Sequence, residues 1–205
     1  MTTFLLVRHA SHGLLGNVLV GRSPGVSLSE KGRTEAERLA QYLAGSRVDA
    51  IYTSPQDRAR ETAAPLERQF GLSAQINDVL DEIDFGSWTG ETFARLDPQP
   101  DWRHWNACRS KACPPGGESM QVAQERIAFG LARLSASHPA ATVALVSHCD
   151  LIKAALMDVL NLSLDGFHRF EIDPASVSIV TVSEHERKVL LINGTADMRV
   201  RFAGR

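Results

Sequence analysis

Short runs of consecutive apolar residues alternate along this chain with stretches whose apolar positions recur every three or four residues. Phe4 to Val7 is such a run and fits a buried strand. Ser29-Glu30-Lys31-Gly32 opens a stretch in which Ala36, Leu39, Ala40 and Leu43 share one helical face, and Gly45 ends it. Ala50 to Thr53 predicts a second strand. Ala59, Thr62, Ala63, Leu66 and Phe70 mark a second helix closed by Gly71, and Ala74 to Leu80 reads as a third strand. Met120, Ala123, Ile127, Leu131 and Leu134 then step at helical spacing along one face. Val143 to Val146 reads as a buried strand, and Asp150 as the cap of a helix with the face Ile152, Ala155, Leu156, Val159 and Leu160. Ser176–Ser183 and Lys188–Ile192 form a last pair of strands around a polar turn.

Repeated strand–helix units predict an α/β fold: a three-layer α/β/α sandwich around a mainly parallel, mixed central sheet. No linker, internal repeat or low-complexity tract interrupts it, so residues 1–205 read as a single domain. One region resists this pattern. From about 85 to 117 the chain carries Trp88, Trp102, Trp105 and a Pro-Pro-Gly-Gly stretch. An excursion of that length acts as a lid or carries short helices of its own. Trp102 and Trp105 would then roof a pocket, with Gly116 and Gly117 as a hinge.

Composition narrows the function classes. Lys plus Arg is 22 and Asp plus Glu is 24, giving a formal charge of −2, which argues against a nucleic-acid-coating surface. No apolar run approaches the ~18 residues of a membrane helix, so no membrane partner is expected. The first apolar stretch is too short for a signal peptide and has no basic region before it. Cys108, Cys113 and Cys149 make an odd count, unlike a secreted disulfide framework. Together these predict a cytoplasmic protein. The spacing of Cys108 and Cys113 does not match a zinc pair.

In an open α/β sheet, ligands gather beyond the carboxyl ends of the strands. The first strand runs into Arg8-His9, the second into Ser54-Pro55-Gln56-Asp57-Arg58, the third into Asp81-Glu82, and the Val143–Val146 strand into Ser147-His148. Converging guanidiniums, imidazoles and one carboxyl predict a phosphoryl site.

The same residues resemble the motifs of the histidine phosphatase superfamily, also called phosphoglycerate mutase-like. Leu6-Val7-Arg8-His9 resembles its opening signature. Ser54-Pro55-x-x-Arg58-Ala59-x-x-Thr62-Ala63 resembles its second motif, and Leu80 through Trp88 to Gly90 its third. Gly116-Gly117-Glu118-Ser119 and Val146-Ser147-His148 resemble the fourth and fifth. The resemblance implies a phosphoglycerate mutase-like fold and assigns roles. His9 would attack phosphorus and form a phosphohistidine, with its other ring nitrogen fixed by an acceptor. Arg8 and Arg58 would clamp the phosphoryl oxygens, and His148, protonated or not, would bind an equatorial oxygen. Glu82 would protonate the leaving oxygen and then activate water. Protein cations take the part of a metal, so neither metal nor cofactor is expected. Arg22 and Ser23 are candidate substrate contacts, together with Trp102 and Trp105. Glu118 could pair with a pocket Arg.

Four departures from the family pattern stand out: Ala10 where Gly is usual, Ser11-His12 in the same turn, Asn17 later than the family Asn usually falls, and Cys149 after His148. The function implied is hydrolysis of a small phosphorylated metabolite. The alternatives are a phosphoglycerate mutase built on the same residues, in which Arg95, Arg103, Arg109 and Lys111 would hold a substrate carboxylate, and a non-catalytic phospho-ligand module. An exposed sheet edge could support a homodimer.

Overall fold

A computed structural model of the chain describes residues 1–196. β1 (Thr2–Arg8) is buried on both faces: Phe4 and Leu6 enter one apolar cluster, Leu5 and Val7 the other. A strand covered on both sides belongs inside a sheet that carries helices on each face. α1 (Glu30–Tyr42) starts where the Ser29 hydroxyl accepts the Gly32 N–H at 3.1 Å. β2 (Ala50–Thr53) leads into α2 (Asp57–Phe70), which ends at Gly71 with φ of 65°. Both helices lay their apolar stripes against Leu5 and Val7.

β3 (Ala74–Ile76) is shorter than the strand expected over 74–80. The Asn77 side chain accepts the Val79 N–H at 3.1 Å and turns the chain into a 3-10 helix at Asp78–Leu80. A local side-chain bond of this kind competes with the ladder and wins at a sheet edge. A 3-10 turn at Gly86–Trp88, α3 (Phe93–Leu96) and α4 (Pro100–Ala107) follow. α5 (Met120–Ser137), capped by Ser119, and α6 (Cys149–Val159) cover the Phe4 and Leu6 face. Between them runs β4 (Thr142–Ser147), and β5 (Val177–Val182) and β6 (Arg187–Gly194) complete the chain order. α6 begins on His148; Asp150 lies in its first turn and pairs with Arg109, so the expected Asp150 cap is not formed.

The strand order is β3-β2-β4-β1-β5-β6. The first four run parallel, and β5 and β6 join antiparallel. This is the three-layer sandwich expected, with its mixed character confined to one side of β1. Residues 197–205, which the single-domain expectation includes, lie outside the described residues. Among the described residues no helix is long and apolar enough to cross a membrane.

The excursion is packed rather than poised over a pocket. Trp88, Leu96, Trp102, Trp105 and Ala112 all enter the core cluster of α5 and α6. Trp88 meets Trp102 edge-on at 5.3 Å, and Phe85 meets Trp105 at 6.4 Å. The expected hinge is a clamp. The Ser87 N–H donates to the Pro115 carbonyl, and the Glu118 N–H to the Asp84 carbonyl at 2.7 Å. Gly117 lets the two backbones touch, since a Cβ there would lie 2.3 Å from the Asp84 oxygen. Replacing Gly117 by Ala forces the strap open. We expect Gly117→Ala to lower unfolding free energy by about 1–3 kcal/mol, as overpacking does. Gly45→Ala, which meets nothing within 4 Å, serves as the near-neutral control in the same urea titrations.

Candidate active site

The parallel register brings the strand exits to one edge. β1 and β4 pair Arg8 with Ser147, and β2 and β4 pair Thr53 with Val146. The next residues are therefore neighbours: the His9 N–H donates to the Ser147 carbonyl, and the Ser54 N–H to the Val146 carbonyl, both at 2.9 Å. The Ser147 hydroxyl reaches the Leu80 carbonyl at 2.7 Å and ties the segment leading to Glu82 to the same edge. Thr62 joins the β1 turn to α2, accepting the Ala10 N–H at 3.0 Å and donating to the Arg58 carbonyl at 2.7 Å. Ser11 is pinned from α1, its N–H and hydroxyl both on Glu35.

His9 is buried, with its Nδ1 2.8 Å from the Ala10 carbonyl oxygen. A carbonyl can only accept, so Nδ1 carries the proton and Nε2 presents a lone pair. Burial first, then Arg58 and Arg8, hold the His9 pKa well below its ordinary value, so the ring is neutral. Arg58 is only 1% exposed. One of its terminal nitrogens reaches the Gly21 carbonyl at 2.6 Å and His148 Nδ1 at 3.2 Å. Arg58 Nε and Nη1 and Arg8 Nε are buried and have no hydrogen-bond partner. Each such orphaned donor costs about 1–3 kcal/mol, and planar guanidinium forks match the oxygens of a phosphoryl group.

Because Arg58 can only donate, His148 Nδ1 accepts. Its Nε2–H then faces the Ser54 hydroxyl at 2.7 Å, which continues to the Asp81 carboxylate at 3.3 Å. Burial and then Arg58 lower the His148 pKa. A protonated His148 is thus not part of the site's charge; the ring instead orients Arg58. Glu82 is buried, accepting the Ile83 N–H at 3.0 Å. Burial, then the nearby Asp150 carboxylate, push its carboxyl up to about 8 against the pull of the Ile83 N–H, Arg58 and Arg8. Of the opposing influences on this carboxyl, burial wins, and Glu82 holds a proton at neutral pH.

A model of the histidine phosphatase superfamily (branch 1) matches residues 4–195. This chain belongs to that superfamily. Phosphoserine phosphatase 1 of Hydrogenobacter thermophilus is 32% identical over 204 residues, covering 97% of this chain and 95% of that protein. A bifunctional protein of Mycobacterium tuberculosis is 34% identical over 199 residues, which are 95% of this chain and 54% of that protein. Among solved structures, a mycobacterial glucosyl-3-phosphoglycerate phosphatase superposes with a TM-score of 0.85 at 27% identity, covering 94% of this chain and 99% of that one.

In this member of the superfamily the strand exits place Arg8, His9, Arg58, Glu82 and His148 near one another. Of the four secondary candidates, Trp102 and Trp105 do not join them. Trp105 is fully buried and Trp102 is 8% exposed, its indole N–H on Asp97. Both are core residues, held there by Trp88, Phe85 and Phe93. Arg22 is drawn into the protein, donating to the Glu82 carbonyl at 2.7 Å and to Glu118 at 2.9 Å. Ser23 lies in the same turn, its N–H on the Val20 carbonyl.

Glu118 pairs with Arg22, as expected of it, and the rest of the network behind Glu82 carries no sequence signal. Arg126 on α5 grips both Glu118 oxygens and donates to the Val79 and Asp81 carbonyls. Ser54 and Asp81 were also passed over, although both stand inside the motifs quoted.

The raised Glu82 carboxyl fixes a pH dependence. Between about 4.5 and 8 the folded state keeps a proton that the unfolded chain has released. The wild type therefore loses stability relative to Glu82→Gln as pH rises through that window, by up to ~1.4 kcal/mol per unit. Urea unfolding of both proteins from pH 5 to pH 8 reads the difference; parallel pH curves would refute the assignment.

Proposed function

We propose that this histidine phosphatase hydrolyses a small phosphomonoester through a phosphohistidine on His9, the whole chain acting as one domain. One observation carries the reading. The His9 Nδ1–H bond to Ala10 frees Nε2 beside guanidinium donors that have no protein partner. In the first step Nε2 attacks phosphorus, the P–N bond forms, and the P–O bond to the leaving alcohol breaks. Glu82 supplies that alcohol's proton, for which its raised pKa suits it. In the second step the ionised Glu82 takes a proton from water, whose oxygen attacks phosphorus. The P–N bond breaks, inorganic phosphate leaves, and Glu82 is protonated again.

The charge of a phosphoryl dianion is met by Arg8 and Arg58, which is the preorganised stabilisation such transfers need. The mechanism calls for no metal or cofactor. His148 holds the Arg58 fork, and Arg22 holds the Glu82 backbone.

Hydrolysis is favoured over a mutase by the state of the excursion. Arg109 is buried against Asp150 at 2.9 Å, Arg95 pairs with Glu91 at 3.0 Å, and Arg103 donates to the Asp97 and Pro98 carbonyls. Three of the four basic residues named for the excursion are thus engaged elsewhere. The names of the relatives, phosphoserine phosphatase and glucosyl-3-phosphoglycerate phosphatase, support a phosphorylated metabolite as substrate.

His9→Ala is expected to lower turnover of an aryl phosphate by at least ~1000-fold, the scale of losing a covalent nucleophile, with an unchanged thermal midpoint. Near-normal turnover in the folded variant would sink the phosphohistidine. Phosphorus NMR on sugar phosphates, phosphoserine and phosphoglycerates, with and without 2,3-bisphosphoglycerate, separates the reactions. Release of inorganic phosphate is expected; transfer between phosphoglycerate positions without release would select the mutase.

A further inference from the structure

The turn after the nucleophile carries a second imidazole that the mechanism above leaves without a task. His12 is 5% exposed, and its ring centroid lies 5.5 Å from that of His9. Its Nδ1 is buried and has no hydrogen-bond partner. The turn itself is made by main chain: the His12 carbonyl accepts the Leu15 N–H at 3.2 Å, and His12 bridges to Leu28. The ring contributes no hydrogen bond through that nitrogen to the turn. A buried polar atom with no partner is destabilising by about 1–3 kcal/mol, so a ring that served only the turn would be better replaced by an apolar one. The groups around it are those that face the phosphoryl group. Burial first, then Arg58 and Arg8, lower its pKa to about 4, which keeps the ring neutral near pH 7.

We propose that His12 binds the phosphoryl group, donating a hydrogen bond from Nδ1 to one of its oxygens beside His9. The inference rests on the phosphatase reading and adds a neutral donor to the site. Arg8 and Arg58 match a dianion already. A third cation would hold the product phosphate more tightly, whereas a neutral imidazole adds direction without adding charge. Ala10 and Ser11 suit this placement: Ala10 is fully buried, and Glu35 pins Ser11 immediately before the ring.

The test compares His12→Ala, His12→Asn and His12→Phe with the wild type. Inorganic phosphate is titrated calorimetrically, and aryl phosphate kinetics are followed in parallel. Asn places an amide nitrogen near Nδ1, while Phe keeps the ring's bulk and has no donor. Loss of one hydrogen bond to a charged partner predicts a roughly 10-fold weaker phosphate Kd for Ala and Phe. Asn is expected to recover to within about threefold of wild type, and KM is expected to move with Kd. Phosphate affinity retained by His12→Phe would overturn the proposal, because packing alone would then account for the residue. Should Ala unfold, the Asn and Phe pair still decides. A wild type that turns over aryl phosphates while His12→Phe binds phosphate normally refutes only the His12 role. A wild type that neither hydrolyses nor binds phosphate refutes both readings.

Discussion

The hydrogen bond from His9 Nδ1 to the carbonyl of Ala10 is short in sequence and long in its requirements. It selects the tautomer whose Nε2 lone pair is free, but it holds only if the turn around Ala10 is immobile. That immobility comes from three directions. β4 takes the His9 N–H, α2 takes the Ala10 N–H through Thr62, and α1 takes Ser11 through Glu35. A neutral imidazole held by one carbonyl is thus underwritten by the sheet and by both helices on one of its faces.

The rest of the site follows from keeping that imidazole neutral beside cations. Arg8 and Arg58 disfavour protonation of His9, His12 and His148 alike, and burial strengthens the effect. The same burial keeps Glu82 protonated, with Asp150 adding to it. The site is therefore a set of neutral rings and a neutral acid arranged around concentrated positive charge. The orphaned guanidinium donors are a standing destabilisation of the fold, tolerated where a ligand's oxygens would satisfy them.

Much of this was legible because strand exits stand next to apolar runs in the sequence. Phe4–Val7 and Val143–Val146 announce their own ends, so the sequence alone places Arg8, His9, Ser147 and His148 at strand exits. What stayed hidden lay in long-range polar pairing, which leaves no periodicity. Glu118 pairs with Arg22, as its motif suggests, but Arg126 joins them from α5, where it reads as an ordinary surface residue. The excursion misled for a related reason. Trp102 and Trp105 lie one helical turn apart in a polar stretch, a pattern that fits a roof or a plug equally well. Only the facing rings of Phe85, Trp88 and Phe93 decide for the plug. The third strand was overextended because Asn77 offers the backbone a competing partner.

β1 is the first strand of the chain and lies inside the sheet. Its two neighbours, β4 and β5, come from the last third of the sequence, with Phe4 paired to Val143 on one side and Val180 on the other. His9 thus precedes in the chain, by more than 130 residues, the two strands that flank β1. Until β4 and β5 have been made, β1 lacks both of its strand partners. Non-local pairing of this kind closes large loops before it gains contacts, which slows folding. The architecture that immobilises the turn around Ala10 therefore cannot be completed until β4 and β5 have emerged.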